Sequence, residues 1–148
     1  MTSSYRVGFK PIRDGVSVPR YGHSGDGALD LVVVEEALLE PFERRALPLG
    51  FALEIPLELI ALILPRSGIS LNTSIMLPNS PGLIDPTYKG EIAVIVANVH
   101  PENRCVIEAG TRVAQMLFLP RTSIEFFNVD TLSESTRGSG GFGSTGYQ

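Results

Sequence analysis

Apolar residues in this chain come in short runs rather than helical stretches. Seven segments read as β-strands from their apolar content and the turn residues that bound them: Tyr5–Ile12, Ala28–Val34, Phe51–Ile55, Leu59–Leu64, Glu91–Val99, Arg112–Leu119 and Ile124–Val129. Gly, Pro, Asn or Asp separates most of them, as a sandwich or barrel requires. The run Ile92–Ala97 (IAVIVA) is apolar at every position. A half-exposed antiparallel strand would alternate, so this run predicts burial on both faces, inside a sandwich or at a subunit interface. Glu35–Leu47 (EEALLEPFERRAL) competes, with good helix formers and Leu38, Leu39 and Phe42 near helical spacing. Pro41 in its middle would remove a backbone donor, so strand plus turn is the reading. At most one short helix is expected, after Pro65, with Ser67 as its cap.

The pattern changes near Thr131. From there to Gln148 Leu132 is the only aliphatic residue, and Ser, Thr and Gly dominate. Such a stretch buries too little to order itself, which divides the chain into a β domain over 1–130 and a flexible arm over 131–148. Arg137 and Phe142 stand out in that arm. At 148 residues there is room for one domain with a real core.

Charge narrows the function. The formal net charge is −4 and no cluster of Lys and Arg exists, which argues against a duplex-DNA binder and predicts no nucleic-acid partner. No apolar run approaches the length that spans a bilayer, so no membrane partner is expected. The start of the chain lacks the apolar core of a secretory leader. Cys105 is the one cysteine, which excludes an intramolecular disulfide and fits a reducing, cytoplasmic setting.

Five segments carry candidate chemistry. Arg137–Gly143 (RGSGGFG) contains a formal G-x-G-x-x-G, but it neither follows a strand nor opens a helix, as a dinucleotide fingerprint must. Its glycines can still close backbone N–H groups around phosphate oxygens. Arg137 can add a bidentate contact, and Phe142 offers a face to a base. In Asn79–Gly90 (NSPGLIDPTYKG), Asp85 is either a turn cap or a stiffly held general base, because Pro86 restricts it to extended conformations. Gln115 within VAQMLFL is either a buried amide needing partners or a residue on the outer face of an edge strand. Pro65–Gly68 (PRSG) joins an Arg and a hydroxyl at a possible helix start, an anion site or a surface ion pair with a cap. Gly27–Leu31 (GALDL) sets one acid, Asp30, among apolar neighbours, where it needs a backbone bond, a partner, a cation or water.

In this order and spacing the five segments resemble the five motifs of the homotrimeric dUTPases, over Gly27 to Gly146. The third and fifth are specific. The resemblance implies an all-β, jelly-roll-like barrel that hydrolyses dUTP to dUMP and pyrophosphate with Mg²⁺. It implies that Asp85 deprotonates the water that attacks the α-phosphorus. Tyr88 would pack on the deoxyribose, while Asn79 and the hairpin backbone, Ile84 included, would read the uracil edge. Arg66, Ser67, Gly68 and Gln115 would hold phosphate oxygens, and Asp30 would hold waters of the cation chelated by the triphosphate. Arg137 would grip the terminal phosphate, and Phe142 would cover the base. Gly143, Ser144 and Thr145 would complete the phosphate contacts. Three chains would share each site, the arm of one closing over a pocket built by the other two.

Lys89 stands where the family most often has Arg, and Phe42 where a Gly is common. Asp26 adds a second acid near Asp30, with no assigned role. Three rivals remain. A dCTP deaminase would share the fold, but the glutamate expected five residues past the closing glycine is Ile95 here. A silent nucleotide-binding regulatory trimer would not need the full catalytic set. A β-sandwich interaction module would leave the motifs unexplained.

Overall fold

The computed structural model describes residues 4–136 and 138–140. It is nearly all β, with twelve strands and one short helix among the described residues. Chain order is β1 (Gly8–Pro11), β2 (Arg20–Tyr21), β3 (Leu29–Val32), β4 (Ala37–Leu39), β5 (Arg44–Pro48), β6 (Phe51–Glu54) and β7 (Leu59–Pro65). Then come α1 (Ser67–Asn72), β8 (Ile75–Met76), β9 (Gly82–Ile84), β10 (Ala93–Asn98), β11 (Cys105–Ile107) and β12 (Arg112–Pro120). The main sheet has the order β2-β3-β12-β7-β9, and β5-β10-β8, β1-β6 and β11-β4 complete a jelly-roll-like body. Every pairing is antiparallel.

Alternation along the strands builds the core. In β7, Leu59, Ala61 and Ile63 are buried while Ile60, Leu62 and Leu64 are half-buried. Val94 and Val96 of β10 join them, with Leu31, Leu39, Leu49, Val113 and Met116. Within Ile92–Ala97 the two-sided burial is incomplete: Ile92, Val94 and Val96 face the core, whereas Ala93 is half-buried and Ile95 exposed. The buried polar residue among the described ones is Asn98, whose amide donates to the carbonyls of Leu39, Glu40 and Asn103.

Several expectations need correction. Ile124–Val129 forms no strand, and Ile124, Phe126, Phe127 and Val129 are exposed. The propensity is present, but strands are stabilised by pairing, and this segment pairs with no strand among the described residues. Ser67 does not cap α1. Arg66 holds the cap position in an extended conformation without a side-chain bond, and Ser67 is the first helical residue. The strands β2, β8, β9 and β11 were not anticipated, since two or three residues are too few to show a period.

Glu35–Leu47 is strand, turn and strand, as Pro41 suggested. Phe42 sits in that turn at φ 59°, a left-handed conformation that explains why glycine is common there. The same turn is tied by Glu43. The backbone N–H of Glu40, and next the Arg45 guanidinium, hold its carboxyl below the usual carboxylate range.

Candidate active site

The order of the main sheet decides which candidate residues meet. On β12, Gln115 lies opposite Asp30 of β3 on one side and Leu64 of β7 on the other. Directly opposed residues project to the same face of a sheet, so these three form a row. Arg66 follows two positions after Leu64 in extended backbone (φ −98°, ψ 137°) and keeps to that face. Its Nε lies 2.8 Å from Asp30 Oδ1, and its Nη1 donates to the Arg112 carbonyl at 3.1 Å. Gln115 Nε2 donates to the Pro65 carbonyl at 2.9 Å, so the amide is partnered and half-buried. Ser67 and Gly68 follow at the exposed start of α1. One end of β7 thus gathers Asp30, Arg66, Ser67, Gly68 and Gln115.

The other end of the sheet carries the hairpin. β9 pairs with β7 so that Ile84 lies opposite Ala61. Asp85, one position further on, therefore leaves the sheet toward the far end of β7, roughly 20 Å from Arg66 at about 3.3 Å per residue. It is exposed, and its carbonyl accepts the Tyr88 N–H at 3.0 Å, closing a turn around buried Pro86. Tyr88 Oη donates to the Glu91 carbonyl at 2.9 Å, which lays the ring against Gly90. A Cβ at Gly90 would meet Tyr88 Oη at 2.5 Å, so only glycine leaves that ring its place. Lys89 Nζ closes the turn by donating to the Pro86 carbonyl at 2.9 Å and to Glu54 at 2.6 Å. A cavity of about 340 Å³ opens beside it, lined by Asn79, Ile84, Asp85 and Tyr88, and by Ile95 from β10. The outward face of β10 thus forms a wall of the hairpin cavity, and an aliphatic side chain stands where deaminase chemistry would need an acid.

No group of three or more His, Cys, Asp or Glu able to hold an ion occurs among the described residues. Each Asp30 oxygen is engaged by one guanidinium: Arg66 at Oδ1 and Arg112 at Oδ2, 3.3 Å away. A carboxylate oxygen has about two acceptor sites, so one remains on each for a water carried by a cation. Asp26 lies near: a Cβ at Gly22 would be 3.1 Å from Asp26 Oδ2 and 3.5 Å from Asp30 Oδ2. This donor set fits a cation that arrives already chelated and is touched through its waters.

A model of the family described as dUTPase matches residues 14–146. The chain belongs to the dUTPase family. It is 45% identical over 129 residues to the deoxyuridine 5'-triphosphate nucleotidohydrolase of Gloeothece citriformis, covering 87% of this chain and 88% of that one. Its identity to the Clostridioides difficile enzyme of the same name is 38% over 143 residues, covering 97% and 99%. The Staphylococcus bacteriophage 80alpha dUTPase, solved with dUPNHPP, superposes with a TM-score of 0.88 at 26% identity, over 97% of this chain and 99% of that one.

Within this dUTPase chain, the expected site residues fall into two sets that do not meet. Asn79, Ile84, Asp85 and Tyr88 share the hairpin cavity, while Asp30, Arg66, Ser67, Gly68 and Gln115 gather at the opposite end. Arg137, Phe142, Gly143, Ser144 and Thr145 lie outside the described residues. Sequence reading missed Arg112, which bonds Asp30, and Glu91, whose carbonyl holds Tyr88. No local signal marks either: Arg112 acts through a contact made across the fold, and Glu91 through its backbone carbonyl, which any residue type would supply.

Proposed function

We propose that this dUTPase-family enzyme hydrolyses dUTP at sites completed between subunits. The carrying observation is the separation of the hairpin set from the phosphate set along β7. General-base catalysis needs the base within hydrogen-bond reach of its water, and that water must sit in line with a phosphate. A span of roughly 20 Å cannot serve one α-phosphorus within one chain. A second copy that brings its Arg66 end to this hairpin closes the gap.

The surface supports assembly. The outward face of the main sheet is an apolar row of Leu62, Leu64, Leu83, Leu117 and Leu119, with Leu62 opposite both Leu83 and Leu117. Such a face favours a closed homotrimer, in line with the family resemblance. Exposed Ile124, Phe126 and Phe127 add apolar surface that a neighbouring chain would cover.

In the mechanism, Asp85 takes the proton of the attacking water, and its exposed position beside the cavity leaves room for that water. The Tyr88 ring, fixed by Glu91 and Gly90, occupies the space a 2′-hydroxyl would need. Asn79 and the backbone around Ile84 read the uracil edge. Arg66, Ser67, Gly68 and Gln115 hold phosphate oxygens, the guanidinium with donors to spare beyond its two bonds. When bound, Mg²⁺ would neutralise the triphosphate and polarise its oxygens. Asp30 would hold the waters of that cation. With residues 1–130 taken as the body, the arm over 131–148 would bring Arg137 to the terminal phosphate and Phe142 onto the base, with Gly143, Ser144 and Thr145 as further donors. The lone Cys105 fits a cytoplasmic enzyme. No helix of the described residues is long and apolar enough to cross a membrane.

The test is a screen of the deoxynucleoside triphosphates and UTP for pyrophosphate release with and without Mg²⁺. Release from dUTP alone, dependent on the cation, is the expected outcome. Binding of dUTP without turnover would instead identify a silent regulatory trimer.

A further inference from the structure

Residue 112 holds Arg66 twice. Its carbonyl accepts Arg66 Nη1 at 3.1 Å, and its guanidinium lies 3.3 Å from Asp30 Oδ2 while the other Asp30 oxygen receives Arg66 Nε at 2.8 Å. The chain Arg112–Asp30–Arg66 is graded in exposure: the Arg112 side chain is 56% exposed, Arg66 28% and Asp30 17%. A carboxylate this sheltered, with one guanidinium on each oxygen, is fixed in orientation, and it fixes what it bonds. The backbone is shaped for the contact. The ladder between β12 and β3 slips between Arg112 and Ala114, where Arg112 pairs with Val32 and Ala114 with Leu31. An irregularity of this kind bends the strand locally and re-aims a side chain. Here it brings Arg112 onto Asp30 while Val113 stays fully buried.

We propose that Arg112 is a positioning residue for nucleotide binding, acting through Asp30 on Arg66. It does not have to touch the nucleotide. By holding Oδ2 it keeps Oδ1 facing Arg66, and the remaining Arg66 donors stay aimed along the row that includes Gln115. A surface ion pair with no further role would contribute little to anything. The difference here is that Asp30 is sheltered and shared. This inference rests on the reading of Arg66 as a phosphate ligand.

The test is a double-mutant cycle read by calorimetric binding of a non-hydrolysable dUTP analogue at fixed Mg²⁺. Arg66→Ala, measured in parallel, checks the underlying reading separately: it should weaken binding more than any Arg112 variant, and unchanged affinity there would remove Arg66 as a phosphate ligand. Arg112→Gln keeps the carbonyl and should weaken binding roughly five- to tenfold, the scale of loosening a charge-assisted contact. Arg112→Lys retains the charge for the single contact to Asp30 Oδ2 and should stay within about twofold of wild type. In an Asp30→Asn background, Arg112→Gln should cost less than about twofold, because the relay is already cut. Thermal melting of each variant establishes that it is folded. Equal losses in both backgrounds would show that Arg112 acts on the nucleotide directly and would overturn the proposal. So would unchanged affinity in folded Arg112→Gln.

Discussion

The two ends of β7 differ in how their side chains are held. At the Arg66 end, Asp30, Arg66, Arg112 and Gln115 are joined by bonds from three adjacent strands and the residue that follows β7. At the hairpin end, Asp85 is exposed, and what is fixed is the turn around it, by the Tyr88, Lys89 and Glu91 contacts. The first arrangement suits a binding surface, where charges must be pre-aimed at an anion that arrives whole. The second suits a base, which needs a fixed backbone and room for water. In the proposed function one end grips and the other reacts, and a shared site would join them.

Mutation should separate the two. Asp85→Asn keeps the shape and removes the proton acceptor, so kcat should fall about 100-fold or more while analogue binding survives. Near-normal turnover would remove Asp85 from the chemistry. Arg66→Lys should do the reverse. Loss of the planar fork should raise the Kd of the analogue roughly tenfold and lower kcat less. If both variants change kcat and Kd alike, the division of labour is wrong.

Gly90→Ala sharpens the hairpin side alone. Its Cβ would displace the Tyr88 ring, so discrimination between dUTP and UTP, as a ratio of kcat/KM, should fall about tenfold. An unchanged ratio would mean that another group excludes the 2′-hydroxyl. Phe42→Gly touches neither end. Relieving φ 59° should raise stability by about 1 kcal/mol, read as a higher Tm, with kinetics unchanged. A lower Tm would show that the exposed ring contributes more than its conformation costs.

How far the sequence reached is uneven for physical reasons. Long alternating or apolar strands such as β7, β10 and β12 announced themselves, because burial leaves a period in composition. β9 did not, though it places Asp85, because its three residues pair by register rather than by pattern. Pro41 argued for a turn, and the turn is there, but its left-handed residue, Phe42, was not legible as such. Ile124–Val129 misled, since strand propensity cannot say whether an edge is available. Among site residues, Asp30, Arg66, Asp85 and Gln115 were legible as motif members. The resemblance implied a site shared among chains, but which residues fall at which end of one chain was not legible, because that follows from sheet order and not from spacing along the chain. Arg112 was invisible for the same reason.

Subunit complementation tests the shared site most directly. Asp85→Asn and Arg66→Ala chains should each form nearly inactive oligomers. Refolded together in equal amounts, they should regain roughly a quarter of wild-type activity, because random assembly pairs an intact hairpin with an intact Arg66 end at that frequency. Mixed oligomers that remain as inactive as their parents would show that Asp85 and Arg66 serve one nucleotide from the same chain, contrary to this account.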